Sequence, residues 1–280
     1  LHQEARRQRQ MCIRDSRVFE RGINVAEKSE PLTWGTGWTA GEQVHADVMD
    51  PWRAQALHAT LDSNDERPVA GDPLPALWHW VYFLDAEPRG RIGTDGHPKR
   101  GGFLPPIELP RRMWAGGKLR FLAPLTVGKQ AERRSRVTAI TEKTGRSGSL
   151  CFVAVDHEIT GPEGVAIQER QNIVYREAAD AHAFPPAPPQ APTNEDVRTG
   201  FRADPTILLR FSGLTFNAHR IHYDRPYARD EEHYEGLVVH GPLQATLMAE
   251  LVRREWPGER PEEFEFQARS PLFEGVDAEV

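Results

Sequence analysis

The sequence lacks the features of several large protein classes. It has two cysteines in 280 residues, Cys12 and Cys151. These form neither a metal-binding spacing nor a disulfide framework, which favours a reducing compartment. No apolar run approaches the ~18 residues of a membrane span, and no glycine-rich nucleotide motif occurs. A formal net charge of −6 argues against a general nucleic-acid binder. We therefore expect a globular protein that needs neither membrane nor nucleic acid.

The length and the proline distribution predict two domains. A chain of 280 residues can bury more than one small core. Residues 1–21 are rich in arginine without an apolar helical face, and we predict a disordered or non-native tail. Residues 184–193 hold five prolines in ten positions, typical of a semi-rigid linker. The predicted division is a first domain over 22–180, a linker over 181–200 and a second domain over 201–280.

The first domain shows helical signals followed by a run of strands. Asp50 and Pro51 predict the start of a helix after a short strand. The apolar run PALWHWVYFLD, residues 75–85, is ambiguous between helix and strand, and the prolines before it favour a helix. Residues 118–177 read as four antiparallel strands separated by glycine-containing turns.

The second domain repeats this order. It reads as a strand over Thr206–Ser212, a polar turn, a helix over Pro242–Trp256 and a strand over Phe264–Gln267. The repeat predicts two similar units, each with a helix against an antiparallel sheet. The second has fewer strands after its helix than the first, so we expect it to be incomplete at its C-terminus.

Histidines concentrate in one part of the second domain. Four of the eleven lie between residues 211 and 240, at His219, His222, His233 and His240. Ser212 nearby lacks the G-x-S-x-G setting of a nucleophile, and no Cys or H-E-x-x-H supports a zinc site. What remains is acid–base chemistry by imidazole beside the start of a helix, whose N–H groups suit an enolate-like oxygen. A base with such donors can add water across a double bond conjugated to a thioester, or form that double bond by removing water.

Two motifs in this region resemble a known family. L-T-F-N-A-H-R-I-H-Y-D and G-L-V-V-H-G-P-L-Q are similar to the motifs of MaoC-type hydratases and dehydratases. The branch with mitochondrial-type 3-hydroxyacyl-thioester dehydratases and mesaconyl-C4-CoA (itaconyl-CoA) hydratases is the closer one. GDPLPALWHW, GHPKRGGFLPP and LPRRMWAGGKLRF resemble its first half. The resemblance implies an α+β double hot-dog fold, with an N-terminal FAS1-like dehydratase domain and a C-terminal MaoC-like domain that carries the catalytic motif.

The resemblance also implies roles for individual residues. The motif's histidine falls on His222 and its His-Gly on His240-Gly241, while its catalytic Asp position holds Asn217 and its Asn position holds His219. We expect His222 to be the base, Asn217 to orient water, His219 to carry a second proton and Gly241 to offer its N–H to the thioester oxygen. The predicted substrate-binding residues are His240, Tyr223, Arg220, Arg225, Arg111 and Arg112.

The arginines have two expected ligands. Arg220 and Arg225 could pair with a second substrate carboxylate. Arg111 and Arg112 lie in a loop rich in glycine, proline and basic residues, and could meet the phosphorylated end of coenzyme A. A solvated charged loop is an equally good interpretation of that stretch.

Together these observations predict a hydro-lyase that acts on an acyl-CoA thioester. The expected reaction is hydration of mesaconyl-C4-CoA (itaconyl-CoA) or dehydration of a 3-hydroxyacyl thioester, without metal or cofactor. A homo-oligomer and a cytoplasmic location, or a mitochondrial one if the source is eukaryotic, are also expected. The alternative is a non-catalytic hot-dog protein that binds acyl thioesters or has a structural role, with Asn217 marking the lost acid.

Overall fold

The computed structural model describes residues 32–35, 37–145, 148–178 and 194–280. The predicted tail over 1–21 and most of the predicted linker lie outside the described residues. Among the described helices, none is both long and apolar enough to cross a membrane.

One antiparallel sheet organises the molecule. In the described residues it has six strands in the order β3-β5-β6-β7-β4-β9, so β9, from the second half of the chain, joins strands of the first half. Two short pairs lie apart from it, β1 with β2 and β8 with β10. The strands are β1 (Thr33–Trp34), β2 (Trp38–Thr39), β3 (Glu42–Val48), β4 (Arg111–Phe121), β5 (Gln130–Gly145), β6 (Gly148–Gly161), β7 (Gly164–Arg176), β8 (Gly200–Arg202), β9 (Glu263–Gln267) and β10 (Asp277–Glu279).

In the part of the chain that the structure describes, three α-helices accompany the sheet: α1 (Pro51–Thr60), α2 (Pro205–Leu214) and α3 (Gly241–Glu255). The predicted start of α1 is confirmed, since the Asp50 carboxylate accepts from the N–H of Trp52 at 2.7 Å and so caps the helix. The meander over β4–β7, the helix α3 and the strand β9 are confirmed as well. The placement of Arg111 and Arg112 in a loop is wrong, because β4 begins at Arg111 and pairs there with β7.

The helix predicted over residues 75–85 is wrong. Only Trp78–Val81 is helical, as a 3-10 turn. Leu77 and Phe83, at either side of it, have φ values of +68° and +55°, which an α-helix cannot accommodate. Six of the eleven residues are buried and only Asp85 is exposed. The buried positions, 77–79 and 81–83, are nearly consecutive, so the run carries no helical periodicity.

The strand predicted over Thr206–Ser212 is also wrong, because this segment belongs to α2. Asp204 accepts from the N–H of Ile207 at 2.9 Å, and Pro205 occupies the first helical turn. Leu208, Phe211 and Ser212 are the buried residues of the helix, at three- and four-residue spacing.

A single apolar core includes residues from both halves of the chain. Leu119 of β4, Leu208 of α2, Leu243 of α3 and Phe264 of β9 belong to one buried cluster. The contact between the halves depends on Gly116 of β4. Its φ is +152°, and a Cβ there would lie 2.3 Å from the carbonyl oxygen of Phe266. β9 can therefore pair with β4 only because residue 116 has no side chain.

Candidate active site

His222 is held in one defined orientation. It ends the 3-10 turn Arg220–His222 and is buried. Its Nδ1 lies 2.7 Å from the carbonyl oxygen of Val238. A carbonyl only accepts, so Nδ1 carries the proton and the neutral ring leaves Nε2 as a lone pair. Burial lowers the pKa of His222 to about 4. At neutral pH the ring is therefore unprotonated and able to accept a proton.

His240 lies against His222 at the N-terminus of α3. The two rings stack with centroids 3.6 Å apart and planes 19° apart. The Nε2 of His240 is hydrogen-bonded to the Ser212 hydroxyl at 2.8 Å, and Phe211 packs edge-on against the ring. Burial and the neighbouring His222 hold the pKa of His240 well below its usual range. Ser212, considered above as a nucleophile, thus orients a neutral imidazole.

The first turn of α3 supplies hydrogen-bond donors beside these rings. The helix begins at Gly241, with His240 as its N-cap. N–H groups in the first turn have no acceptor within the helix, and they form the positive end of its dipole. Pro242 has no N–H, so Gly241 and Leu243 carry the first donors. A Cβ built on Gly241 would lie 3.9 Å from the carbonyl oxygen of Trp114 in β4, so α3 begins near the register shift of that strand between Trp114 and Gly116.

Asn217 and His219 lie close to His222, and their contacts are not those that the sequence predicts. The side-chain oxygen of Asn217 accepts from the backbone N–H of His219 at 2.9 Å, so it shapes the turn. The His219 ring is perpendicular to that of His222, with centroids 5.4 Å apart. Burial, followed by the nearby His97, lowers the pKa of His219 far below its usual range.

A further member of the cluster, His97, was missed from the sequence. It lies in a loop of the first half, and its ring centroid is 4.0 Å from that of His219. Its Nδ1 is 2.9 Å from a carboxylate oxygen of Asp95, while the Asp95 carbonyl accepts from the N–H of Arg220. Although burial opposes ionisation of Asp95, its hydrogen bonds with His97 lower its pKa. Burial also lowers the pKa of His97.

The loop that carries Asp95 and His97 can approach the histidine cluster because the residue between them, Gly96, has no side chain. Gly96 has a φ of +92°, and a Cβ there would lie 1.7 Å from the carbonyl oxygen of Ala218. Only glycine permits this approach. His97 lies in the stretch GHPKRGGFLPP that resembles the family, but nothing in that stretch singles out its histidine as a site residue.

Asp95, His97 and His219 are also a possible set of metal ligands. Their nearest ligand atoms lie within 4.8 Å of one another, and two imidazoles with a carboxylate suit a divalent transition metal. Against this, the hydrogen bond between His97 and Asp95 already uses one such atom on each residue. The positive charge of Arg112 also acts on both His97 and His219.

The predicted substrate-binding arginines divide into two kinds. Three are paired with carboxylates of the chain itself: Arg111 with Glu232 at 2.7 Å, Arg220 with Asp224 at 2.8 Å and Arg225 with Glu274 at 2.7 Å. Arg112 makes no ion pair with any residue that the structure describes, and its charge acts on Asp95, His97 and His219. Tyr223 is exposed and donates to the carbonyl of Ala218 at 3.1 Å.

Comparison with known proteins gives a consistent result. The family model of the hydroxyacyl-thioester dehydratase type 2 proteins matches residues 77–274. The mesaconyl-C(4)-CoA hydratase of Chloroflexus aurantiacus is 48% identical over 234 residues, covering 83% of this chain and 82% of the relative. The chain belongs to the hydroxyacyl-thioester dehydratase type 2 family.

A further relative and a solved structure are also similar to this chain. A mitochondrial hydroxyacyl-thioester dehydratase type 2 of Schizosaccharomyces pombe is 27% identical over 224 residues, covering 70% of this chain and 73% of the relative. A solved MaoC-like dehydratase superposes with a TM-score of 0.63 at 13% identity, covering 86% of each chain. The predicted family, the α+β hot-dog fold and an enzyme of the hydratase and dehydratase type, a hydro-lyase, are thereby confirmed. The domain boundaries and residue roles stay predictions.

Proposed function

We propose that this chain adds water across the 2,3 double bond of an enoyl-CoA, or removes it in reverse, with mesaconyl-C4-CoA as the preferred substrate. The observation that carries the proposal is the buried, neutral His222. Its Nδ1–H is fixed on the Val238 carbonyl, which leaves Nε2 free as a base beside the first N–H groups of α3. The predicted non-catalytic alternative gives no reason for this arrangement.

The reaction needs one base and one site for negative charge. In hydration, Nε2 of His222 takes a proton from water while the water oxygen bonds to the β-carbon. The electron pair of the double bond moves onto the thioester oxygen as an enolate, which accepts from the N–H groups at Gly241 and Leu243. The α-carbon then receives the proton that His222 took from water as the enolate collapses, and His222 returns to its neutral form. Dehydration follows the same steps backwards.

A second proton carrier comes from the pair of His97 and His219. Asp95 fixes the His97 ring, whose centroid lies 4.0 Å from that of His219. The His219 ring in turn packs edge-on against the ring of His222. Because Asn217 cannot exchange a proton at neutral pH, we assign to these imidazoles, which are neutral at rest, the transfer of the proton that His222 takes from water. Asn217 then acts by holding the turn that places His219.

Arg112 is the residue best suited to a second substrate carboxylate. Mesaconyl-C4-CoA carries one, and the alternative cations Arg220 and Arg225 already have carboxylate partners. Arg112 is near the histidines and lacks such a partner among the described residues. It would form a charge-assisted pair with the substrate.

The test is turnover of three thioesters by purified protein. Mesaconyl-C4-CoA, itaconyl-CoA and crotonyl-CoA are supplied separately, and loss of enoyl absorbance is followed together with the mass gain of one water. We expect hydration with the highest kcat/KM for mesaconyl-C4-CoA, unchanged by a chelator. Binding of all three without turnover would support the non-catalytic alternative, and inhibition by the chelator would favour a metal at Asp95, His97 and His219.

A further inference from the structure

The side chain of Arg220 makes contacts that the proposed mechanism does not use. Its Nε and Nη2 donate to one carboxylate oxygen of Asp224 at 3.0 and 2.8 Å, and its Nη1 donates to the carbonyl oxygen of Thr94 at 3.0 Å. The guanidinium carbon lies 4.1 Å from the centroid of the Tyr227 ring. Two edges and one face of the planar guanidinium group therefore already have partners within the chain.

The partners of this guanidinium group are themselves fixed against the sheet. Tyr227 is the first residue of a five-residue π-helix, Tyr227–Glu231, and its N–H donates to the second carboxylate oxygen of Asp224 at 3.1 Å. Its hydroxyl donates to Glu232 at 3.4 Å, and the other carboxylate oxygen of Glu232 accepts from Arg111 of β4 at 2.7 Å. Asp224 and Tyr227 thus hold the guanidinium group in one place.

Arg220 joins the two segments that carry the imidazoles of the site. It begins the 3-10 turn that ends at His222. Its backbone N–H donates to the carbonyl of Asp95 at 2.9 Å, while its side chain binds the carbonyl of the preceding residue, Thr94. Asp95 in turn accepts from the backbone N–H of His97 at 3.0 Å and lies 2.9 Å from Nδ1 of its ring. The position of the His97 ring therefore depends on the contact of this loop with Arg220.

This bonding does not suit the predicted role of Arg220 in binding a substrate carboxylate. A bidentate pair needs two parallel N–H groups on one edge of the guanidinium, and the edge with Nε and Nη2 is used by Asp224. Hydrogen bonds from Arg220 also lower the pKa of Asp224, so the carboxylate is ionised at neutral pH and balances the charge of the arginine. A substrate carboxylate would have to displace Asp224 or Thr94.

We propose that Arg220 is a positioning residue for the hydration reaction. It fastens the loop of Thr94–His97 to the turn that carries His222, and so keeps the His97 ring against that of His219. The proposal rests on the proposed function, in which these two imidazoles carry a proton. Because the base is held separately by the carbonyl of Val238, removal of the guanidinium should slow proton transfer and leave substrate binding unchanged.

Steady-state kinetics of Arg220→Gln with two thioesters distinguish positioning from substrate binding. We expect kcat to fall about tenfold for both mesaconyl-C4-CoA and crotonyl-CoA, because small displacements of a catalytic group are costly, with each KM nearly unchanged. Arg202→Gln, which breaks an exposed pair with Asp277, is the control and should change neither constant. A rise in KM for mesaconyl-C4-CoA alone, or an unchanged kcat, would overturn the proposal.

A double-mutant cycle with His97 tests whether Arg220 acts through the loop. If it does, the variant with both Arg220→Gln and His97→Gln should have the same kcat as His97→Gln alone. Losses that multiply would show that the two residues act independently, and would contradict the proposal. Arg220→Lys keeps a positive charge beside Asp224 without the planar fork, so it should also lower kcat, and it replaces Arg220→Gln if that variant fails to fold.

Hydrogen exchange of the protein without substrate gives a test that does not depend on turnover. The N–H groups of Gly93, Gly96 and His97 are hydrogen-bonded within the loop, and their exchange should become faster in Arg220→Gln but not in Arg202→Gln. Equal exchange in both variants would overturn the proposal. If the wild-type protein hydrated neither thioester, the proposed function would fail, and the exchange rates would still show whether Arg220 fastens the loop.

Discussion

At the residue scale, the chemistry of the site depends on which ring nitrogen of each histidine is occupied. Nδ1 of His222 is hydrogen-bonded to the Val238 carbonyl, which leaves its Nε2 as the basic atom, whereas in His240 it is Nε2 that is hydrogen-bonded, to the Ser212 hydroxyl. The stacked rings, with centroids 3.6 Å apart, are both neutral at pH 7 because burial lowers the pKa of each, and a charge on one would disfavour a charge on the other. His222 is therefore assigned as the base and His240 as its neutral neighbour.

Replacement of His222 tests this assignment. His222→Gln should lower kcat by about 10²–10⁴-fold, the usual contribution of a general base, while the Gln amide can still donate to Val238. His233→Gln is the matched control, since His233 is exposed, and we expect it to change kcat little. Steady-state rates and circular dichroism of both variants decide the matter. If His219→Gln were inactive and His222→Gln active, the base would be His219.

The assignment of Arg112 has its own test. Arg112→Gln should raise KM for mesaconyl-C4-CoA by about tenfold or more and leave KM for crotonyl-CoA nearly unchanged, because only the first substrate has a second carboxylate. Arg225→Gln breaks an exposed pair with Glu274 and is the control, with little effect on either KM. An equal rise for both substrates after Arg112→Gln would instead indicate contact with the coenzyme A part.

At the scale of elements, the site is assembled from segments far apart in sequence. The 3-10 turn Arg220–His222 brings the base, α2 brings Ser212, and α3 brings the donors. A loop of the first half contributes His97 by contact with Ala218. The first half of the chain is therefore part of the site rather than only a support for it.

Substitutions at Gly96 and Gly101 distinguish the effect of displacing that loop from the effect of backbone strain alone. Gly96→Ala and Gly101→Ala place a side chain at similar positive φ values, +92° and +85°, with a similar strain cost. The new Cβ lies 1.7 Å from the Ala218 carbonyl oxygen at residue 96 and 3.6 Å from Pro106 at residue 101. Gly96→Ala should lower kcat about 10²-fold by displacing His97 and His219, and Gly101→Ala should not. Melting temperatures and rates of both are compared, and equal loss of kcat would contradict the assignment.

How much the sequence predicts differs between elements for physical reasons. α1 and α3 were predicted because proline-led starts and apolar spacing are local signals. α2 carries the same signals, Asp204 as a cap and Pro205 in the first turn, yet the apolar run T-I-L-L-R-F suggested a strand. His222, His240 and Gly241 follow from motifs, whereas the contact of His97 with His219 spans more than a hundred residues and depends on how a loop packs.

At the scale of the whole molecule, the fold keeps several imidazoles neutral. The pKa values of His157 and His222 are lowered to about 4 by burial, and those of His97, His219 and His240 are lowered too. His157 lies in β6, away from the motifs, with Nδ1 on the Ser135 hydroxyl at 2.7 Å. All five prefer the unprotonated form when the chain is folded.

This predicts a fold that loses stability in mild acid. Below pH 6.5 the unfolded chain binds protons on these histidines while the folded chain does not, until the pH approaches about 4 for His157 and His222. The unfolded state then holds more protons, so the free energy of unfolding falls as the pH falls. Each group contributes about 1.4 kcal/mol per pH unit in that window. Glu169, whose pKa is also lowered, stays ionised there and does not offset the loss.

Urea unfolding at pH 7.5, 6.5, 5.5 and 4.5 measures the effect. The free energy of unfolding should begin to fall between pH 7.5 and 6.5 and drop more steeply below pH 6.5. His222→Gln should reduce the slope by the share of one histidine, because it removes one group that the unfolded chain protonates, and His233→Gln should leave it unchanged. A free energy that stays flat down to pH 4.5 would mean that the folded chain protonates these rings as readily as the unfolded chain. The neutral His222 on which the proposed mechanism depends would then be lost.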